Sequence, residues 1–319
     1  MSEIFQFRVE HDLLGHEKVP SEAYYGIQTL RALQNFNITG VPIGHFPELV
    51  RALAIVKQAA VRANLDLGLL GAAKAAAIDA ACGEIAAGAL HDEFVVDLIQ
   101  GGAGTSTNMN ANEVIANRAL ELMGHERGEY QFLHPNNDVN MSQSTNDVYP
   151  TAVRLALILA DDSLIDALRE LCAAFEGKGH QLAGVLKMGR TQLQDAVPMT
   201  FGQEFEGWAI TVGEDVDRLN EMARLFTEVN LGGTAIGTGI NTHPEYAQRA
   251  VDHLSELTGF SFSLAPSLIE ASSDTGAFVA FSGILKRVAV KLSKICNDLR
   301  LLSSGPRAGL GEINLPPMQ

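Results

Sequence analysis

Apolar positions along this chain fall mostly at intervals of three and four, the period of a helix with one buried face. Leu49, Leu53, Val56, Ala60 and Ala63 form one such stripe and predict a helix over 47–66. The alanine-rich segment 70–90 predicts a second, weakened by Gly83 and Gly88. A shorter helix is predicted over 112–123. From Pro150 onward the periodic runs lengthen. Val153, Leu157, Leu164, Leu168, Leu171 and Phe175 keep the spacing. Phe205, Ala209, Val212, Val216, Leu219, Ala223 and Phe226 alternate gaps of four and three, and so does the series from Phe278 and Phe281 through Leu285, Leu292 and Leu299 to Leu302. Seams of this kind pack near-parallel helices, as in bundles and coiled coils. At 1.5 Å per residue, a helix of about 35 residues is about 50 Å long. That exceeds what a compact domain of this size requires, so part of each seam is expected to face another subunit. Extended candidates are confined to residues 5–20, as a hairpin around Gly15. The expected fold is mainly α: a small mixed N-terminal domain over 1–141, then a long-helix bundle over 142–319. The irregular connection 124–140 marks the division.

Two polar stretches interrupt this pattern. Within six positions Ser142, Ser144, Thr145, Asn146 and Asp147 crowd together, and Pro150 then marks a helix start. An ordinary N-cap needs one such residue. Five, at a terminus where free N–H groups meet the positive end of the helix dipole, favour a small anion. Gly101 to Asn112 reads Gly-Gly-Ala-Gly-Thr-Ser-Thr-Asn-Met-Asn-Ala-Asn, a second hydroxyl- and amide-rich turn that leads into a helix near Glu113. Two neutral polar loops at helix entries could hold two carboxylates by hydrogen bonds. Capping of the 112–123 helix by Thr105 and Ser106 is the plainer alternative. The Gly-rich run 231–239 has no Gly-Lys-Ser/Thr ending and no expected strand before it, so it is read as a connector, not a phosphate loop.

Composition narrows the class. The chain is 46% hydrophobic and 19% charged, with 23 Lys plus Arg against 38 Asp plus Glu, a net charge of −15. Nucleic acid is excluded as a partner, because it needs a basic footprint. The global field also repels an anionic substrate, so attraction must come from local donors. Cys82, Cys172 and Cys296 are odd in number and far apart, the usage of free thiols in a reducing cytosol. No secretory signal is read at the N-terminus, and no run of about 18 apolar residues suggests a membrane span. The nine His show no metal-ligand spacing, so neither metal nor cofactor is expected.

Several long stretches together resemble the aspartate ammonia-lyases of the class II fumarase/aspartase superfamily. These are Gly-Gly-Ala-Gly-Thr-Ser-Thr-Asn-Met-Asn from Gly101, Ser-Gln-Ser-Thr-Asn-Asp from Ser142, Lys187 to Asp195, Gly232 to Gly239 and Lys294 to Gly305. The resemblance runs from Arg8 to Gln319. It implies reversible deamination of L-aspartate to fumarate and ammonia in the cytoplasm, by a homotetramer with a shared helical core. It implies that Thr105, with Ser106 beside it, contacts substrate. Ser144 and Thr145 would contact the β-carboxylate, and Asn146 would bind substrate carboxylate. Thr191 and Gln192 would lie near the amino group. A neutral Gln192 can orient the leaving amine but cannot protonate it. The superfamily's base is a serine on a mobile loop, Gly-Ser-Ser-x-Met-Pro-x-Lys-x-Asn, expected just after Gln319. No catalytic base is therefore expected within the chain, and the bundle is expected to be incomplete and the third domain absent.

The chemistry suits those residue types. Deamination takes a proton from the carbon beside the β-carboxylate, which must accept the developing charge as an aci-carboxylate. Hydroxyls and amides fixed on helix ends can be aimed at its oxygens without burying isolated charges. The competing readings are class II fumarase, and a non-catalytic helical scaffold. Gln192 and the Ser-Thr-Asn-Asp sequence favour the aspartase; fumarases usually carry His and Ser-Ser-Asn-Asp there. Arg190 with Asp195 is expected to be a structural pair, and Tyr149 and Trp208 packing aromatics.

Overall fold

A computed structural model describes residues 6–318. Its packing groups these residues in two units, each made of two stretches of chain. The first runs to Leu159 and takes in Phe226–Asp274; the second joins Ala160–Leu225 to the residues from Thr275 onward. The division expected at 141 follows sequence order, whereas these units interleave.

In the first unit, β1 (Phe7–Asp12) and β2 (Gly15–Pro20) form the expected antiparallel hairpin, with Asp12 opposite Gly15. Gly15 closes its two-residue turn at φ 120°, which a side chain would resist. Helices α1 (Ile27–Asn35), α2 (Pro47–Asp66), α3 (Ala72–Ala86) and α4 (Thr105–Leu122) follow. The α2 span matches the stripe that predicts it, and all five stripe residues are buried. Its alanines let α3, α4 and α7 (Tyr246–Thr258) pack around it, and the single-turn α8 (Leu268–Ala271) follows α7 in sequence. Glu113 of α4 fixes α1 by accepting from Gly26 N (2.8 Å), Gln28 N (2.8 Å), Thr29 N (3.0 Å) and Thr29 Oγ1 (2.7 Å). The three N–H groups are donors that a helix N-terminus leaves unpaired.

In the second unit lie the rest of α5 (Thr145–Gln181), a hairpin of β3 (Leu186–Thr191) and β4 (Gln194–Thr200), α6 (Phe201–Ala223) and α9 (Gly276–Leu302). This hairpin is absent from the helical periodicity. Thr200 and Gln203 cap α6 reciprocally. Phe175, Phe205 and Trp208 form an aromatic cluster, with Phe205 and Trp208 centroids 4.8 Å apart. The α9 seam divides into two rows. Phe281, Val288, Ile295 and Leu302 are buried; Phe278, Leu292 and Leu299 are half-buried and Leu285 exposed. Arg190 pairs mainly with Glu312, and lies 3.7 Å from Asp195.

Both polar-loop helices begin earlier than the apolar periodicity indicates. Helix α4 starts at Thr105, not near Asn112, because its first turns bury polar residues: Thr107, Asn108, Asn110 and Asn112 are all enclosed. Thr105 and Ser106 therefore open the helix and do not precede it. Helix α5 starts at Thr145, so Pro150 lies inside it. Proline cannot bond the carbonyl four residues back, that of Asn146. Asn230 supplies the missing donor, its Nδ2 reaching Asn146 O at 3.0 Å. A short strand, β5 (Glu228–Val229), paired parallel with β6 (Ser263–Leu264), precedes the Gly-rich run and corrects the expectation that none would.

Candidate active site

The first unit brings two helix entries together. Gly104 caps α4 at φ 90°, and a Cβ there would stand 2.5 Å from the Tyr149 ring. Tyr149 lies in the second turn of α5, so only a glycine lets the first polar loop close on that helix. One turn further into α4, Asn108 Nδ2 donates to Thr145 Oγ1 at 3.1 Å. Thr105, Ser106, Thr145 and Asn146 thus belong to the opening turns of two adjoining helices, with Ser144 just before the second, each helix presenting its positive end.

Their exposure and bonds differ. Thr105 is exposed and its hydroxyl donates to Gly102 O at 2.6 Å, while Ser106 is half-buried. Ser144 Oγ accepts from Asn146 N at 3.2 Å. Asn146 is exposed, and its Nδ2 donates to Ala235 O at 2.8 Å. So Ser144 and Thr145 both accept from the protein, and each keeps a hydroxyl hydrogen to give. Thr191 and Gln192 belong to the second unit. They are exposed at the β3–β4 turn, where Gln192 and Leu193 have φ of 52° and 61°. Positive φ at both central residues is what a two-residue hairpin turn of the I′ kind requires, so the β3–β4 turn itself accounts for it.

Sequence reasoning missed the layer beneath these hydroxyls. Lys57 of α2 is fully buried, and its Nζ donates to Asn108 Oδ1 (2.6 Å), Asn140 Oδ1 (2.8 Å) and Gln143 Oε1 (2.9 Å). Burial pulls its pKa down to about 7, against the pull of Asp147 towards the charged form. A lysine inside an otherwise apolar stripe was the available signal. Asp147 is buried too, and three backbone donors hold it: Ser144 N at 3.0 Å, Gly232 N at 3.1 Å and Thr234 N at 2.9 Å. Burial raises its carboxyl to about 6, although those donors and Lys57 favour ionisation. The Gly-rich run thereby gains a role, as the strap that fixes the start of α5. Among the described residues no group of three or more His, Cys, Asp or Glu side chains is placed to hold a metal ion. No helix among them is long and apolar enough to cross a membrane.

The sequence over residues 15–319 matches the family model described as Lyase. Aspartate ammonia-lyase of Pseudomonas aeruginosa is 65% identical over 320 residues, covering all of this chain and 68% of that protein. The chain belongs to the fumarase/aspartase superfamily of lyases. Within this superfamily, aspartate ammonia-lyase of Escherichia coli is 56% identical over 313 residues, covering 98% of this chain and 66% of that protein. A solved fumarate lyase:delta crystallin of Brucella melitensis, bound to cobalt, superposes with a TM-score of 0.97 at 63% identity. It covers 98% of this chain and 68% of its own. A class II fumarase of Schistosoma mansoni superposes at 0.90 with 35% identity, covering 95% and 67%. The mainly α architecture is that of the superfamily.

Proposed function

We propose that this chain belongs to an aspartate ammonia-lyase and supplies the part of the site that receives the substrate's β-carboxylate. The observation that carries this reading is the pair of hydroxyls at the start of α5. Ser144 and Thr145 each accept from the protein and so present their hydrogens outward, at a helix N-terminus. As a general base takes the proton from the carbon beside the β-carboxylate, charge grows on that carboxylate's oxygens. That charge then collapses to form the C=C bond of fumarate as the C–N bond breaks, and the C–N electron pair leaves with the amine. Donors fixed before the reaction stabilise the charge without reorganising. Asn146 binds a substrate carboxylate from the flanking position. Identity of 65% and 56% to aspartate ammonia-lyases supports this choice over the fumarase. We place the enzyme in the cytoplasm, in keeping with three free cysteines, and assemble it as a homotetramer whose core uses the open row of α9.

The test is fumarate formation, followed at 240 nm, by protein expressed from its full coding sequence and supplied with L-aspartate or L-malate. Fumarate from aspartate and none from malate is expected. The reverse pattern would establish a hydratase, and no product from either would leave a scaffold. L-Alanine, which lacks the β-carboxylate, should not be deaminated, because it leaves the Ser144 and Thr145 hydroxyls without their acceptor.

A further inference from the structure

We propose that Lys57 and Asn108 are positioning residues that set the direction of the Thr145 hydroxyl, so that its hydrogen points to the substrate. The inference rests on the reading of Thr145 as a carboxylate donor. A lysine ammonium donates three hydrogen bonds and accepts none. Around Lys57 Nζ stand three amide oxygens, those of Asn108, Asn140 and Gln143, one for each hydrogen. The ammonium thus fixes which end of each amide faces it. The three NH₂ groups must turn away from it, and every one of them finds an acceptor. Gln143 Nε2 reaches Val139 O at 2.9 Å and Met141 O at 3.1 Å, and Asn140 Nδ2 reaches Gln143 O at 3.2 Å. Asn108 Nδ2 spends one hydrogen on Asn140 Oδ1 at 3.2 Å and the other on Thr145 Oγ1 at 3.1 Å.

The last bond transmits the polarity. Because Asn108 donates, the Thr145 oxygen accepts, and the Thr145 hydrogen cannot turn back toward Asn108. No described residue accepts it. The buried charge of Lys57 is thereby converted, through one amide, into a hydroxyl that can only donate outward. This explains why a lysine is enclosed where no carboxylate bonds it. An aliphatic residue would pack in that space but would leave the Asn108 amide free to rotate, and a rotated amide would draw the Thr145 hydrogen inward.

Asn108→Asp tests the direction of that bond with almost no change of shape. A carboxylate there accepts from Thr145 and pairs with Lys57, so the fold is kept while the hydroxyl is reversed. In protein expressed from its full coding sequence, kcat for L-aspartate should fall about a hundredfold, the usual scale for losing one oxyanion-type donor, with a smaller change in KM. Thr145→Val should lose a similar factor. The decisive comparison is the double variant: in the Thr145→Val background, Asn108→Asp should cost little more, because the hydroxyl it acts through is gone. Lys57→Met should also lower kcat, and its loss should likewise shrink in that background. Equal losses from Asn108→Asp in both backgrounds would mean that it acts by charge or packing, and would overturn this inference while sparing the proposed site. Full kcat in Asn108→Asp would overturn it as well. Full kcat in Thr145→Val would overturn both this inference and the reading of the site.

Discussion

The junction between the two polar loops makes a quantitative prediction at Gly104. Replacing it by alanine imposes two penalties. A non-glycine residue in the left-handed region costs roughly 1–2 kcal/mol. The new Cβ would also stand 2.5 Å from two Tyr149 ring atoms and 2.7 Å from a third. Carbon atoms rest at about 3.5–4.0 Å, so the ring must retreat by about an ångström. Overpacking of that kind costs about 1–3 kcal/mol. The sum is about 2–5 kcal/mol. Gly102→Ala is the control. It has a similar φ of 80°, but its Cβ meets only Thr105, at 3.2 Å and 3.5 Å. It should carry the backbone penalty and little else. Urea unfolding of both variants gives the comparison through midpoints at an unchanged slope. Gly104→Ala should be the less stable by at least about 1 kcal/mol, and Tyr149→Ala in the same chain should recover part of that difference. Equal losses from the two glycine variants would refute the packing of Tyr149 on the first loop.

Two further predictions concern the supports of the site. Asn230→Ala should destabilise the protein by about 1–3 kcal/mol in urea unfolding, because the Asn146 carbonyl that Pro150 leaves open loses its donor. In a Pro150→Ala background the loss should shrink, since a helical N–H can then take over. Asp97 faces burial that opposes its charge, but Ile99 N, the Thr39 hydroxyl and N–H, and Gly40 N outweigh it and hold its carboxyl well below the usual range. With the folded pKa lowered, its contribution is full above the ordinary carboxylate pKa near 4 and fades as pH falls below it. The stability gap between wild type and Asp97→Asn should therefore be widest near neutral pH and narrow in acid. A gap that widens in acid would reject the assignment.

Where burial follows the apolar period, the sequence could be read directly. Helix α2 has the predicted bounds, and the long seams appear as α5, α6 and α9. The N-terminal hairpin likewise declares itself by a glycine between extended segments. The starts of α4 and α5 could not be read this way. Asn108, Asn110 and Asn112 look like loop residues until the partners that let them be buried are known. Pro150 looks like a first turn until Asn230, far away in sequence, is found bonding the carbonyl it leaves open. The hydroxyls of the candidate site were legible because polar residues crowd them into short stretches. Lys57 was not, because a single lysine in an apolar stripe acquires meaning only from the three amides around it. The same holds for the Gly-rich run, whose N–H groups matter only once Asp147 is seen beneath them.

The central claim is that the start of α5 receives a carboxylate. The most direct measurement is a crystal structure of the protein, expressed from its full coding sequence, with bound succinate, a dicarboxylate that has no amine to lose. The account predicts one succinate carboxylate within about 2.5–3.0 Å of the Ser144 and Thr145 hydroxyl oxygens. Succinate held elsewhere, with neither hydroxyl touching it, would contradict it.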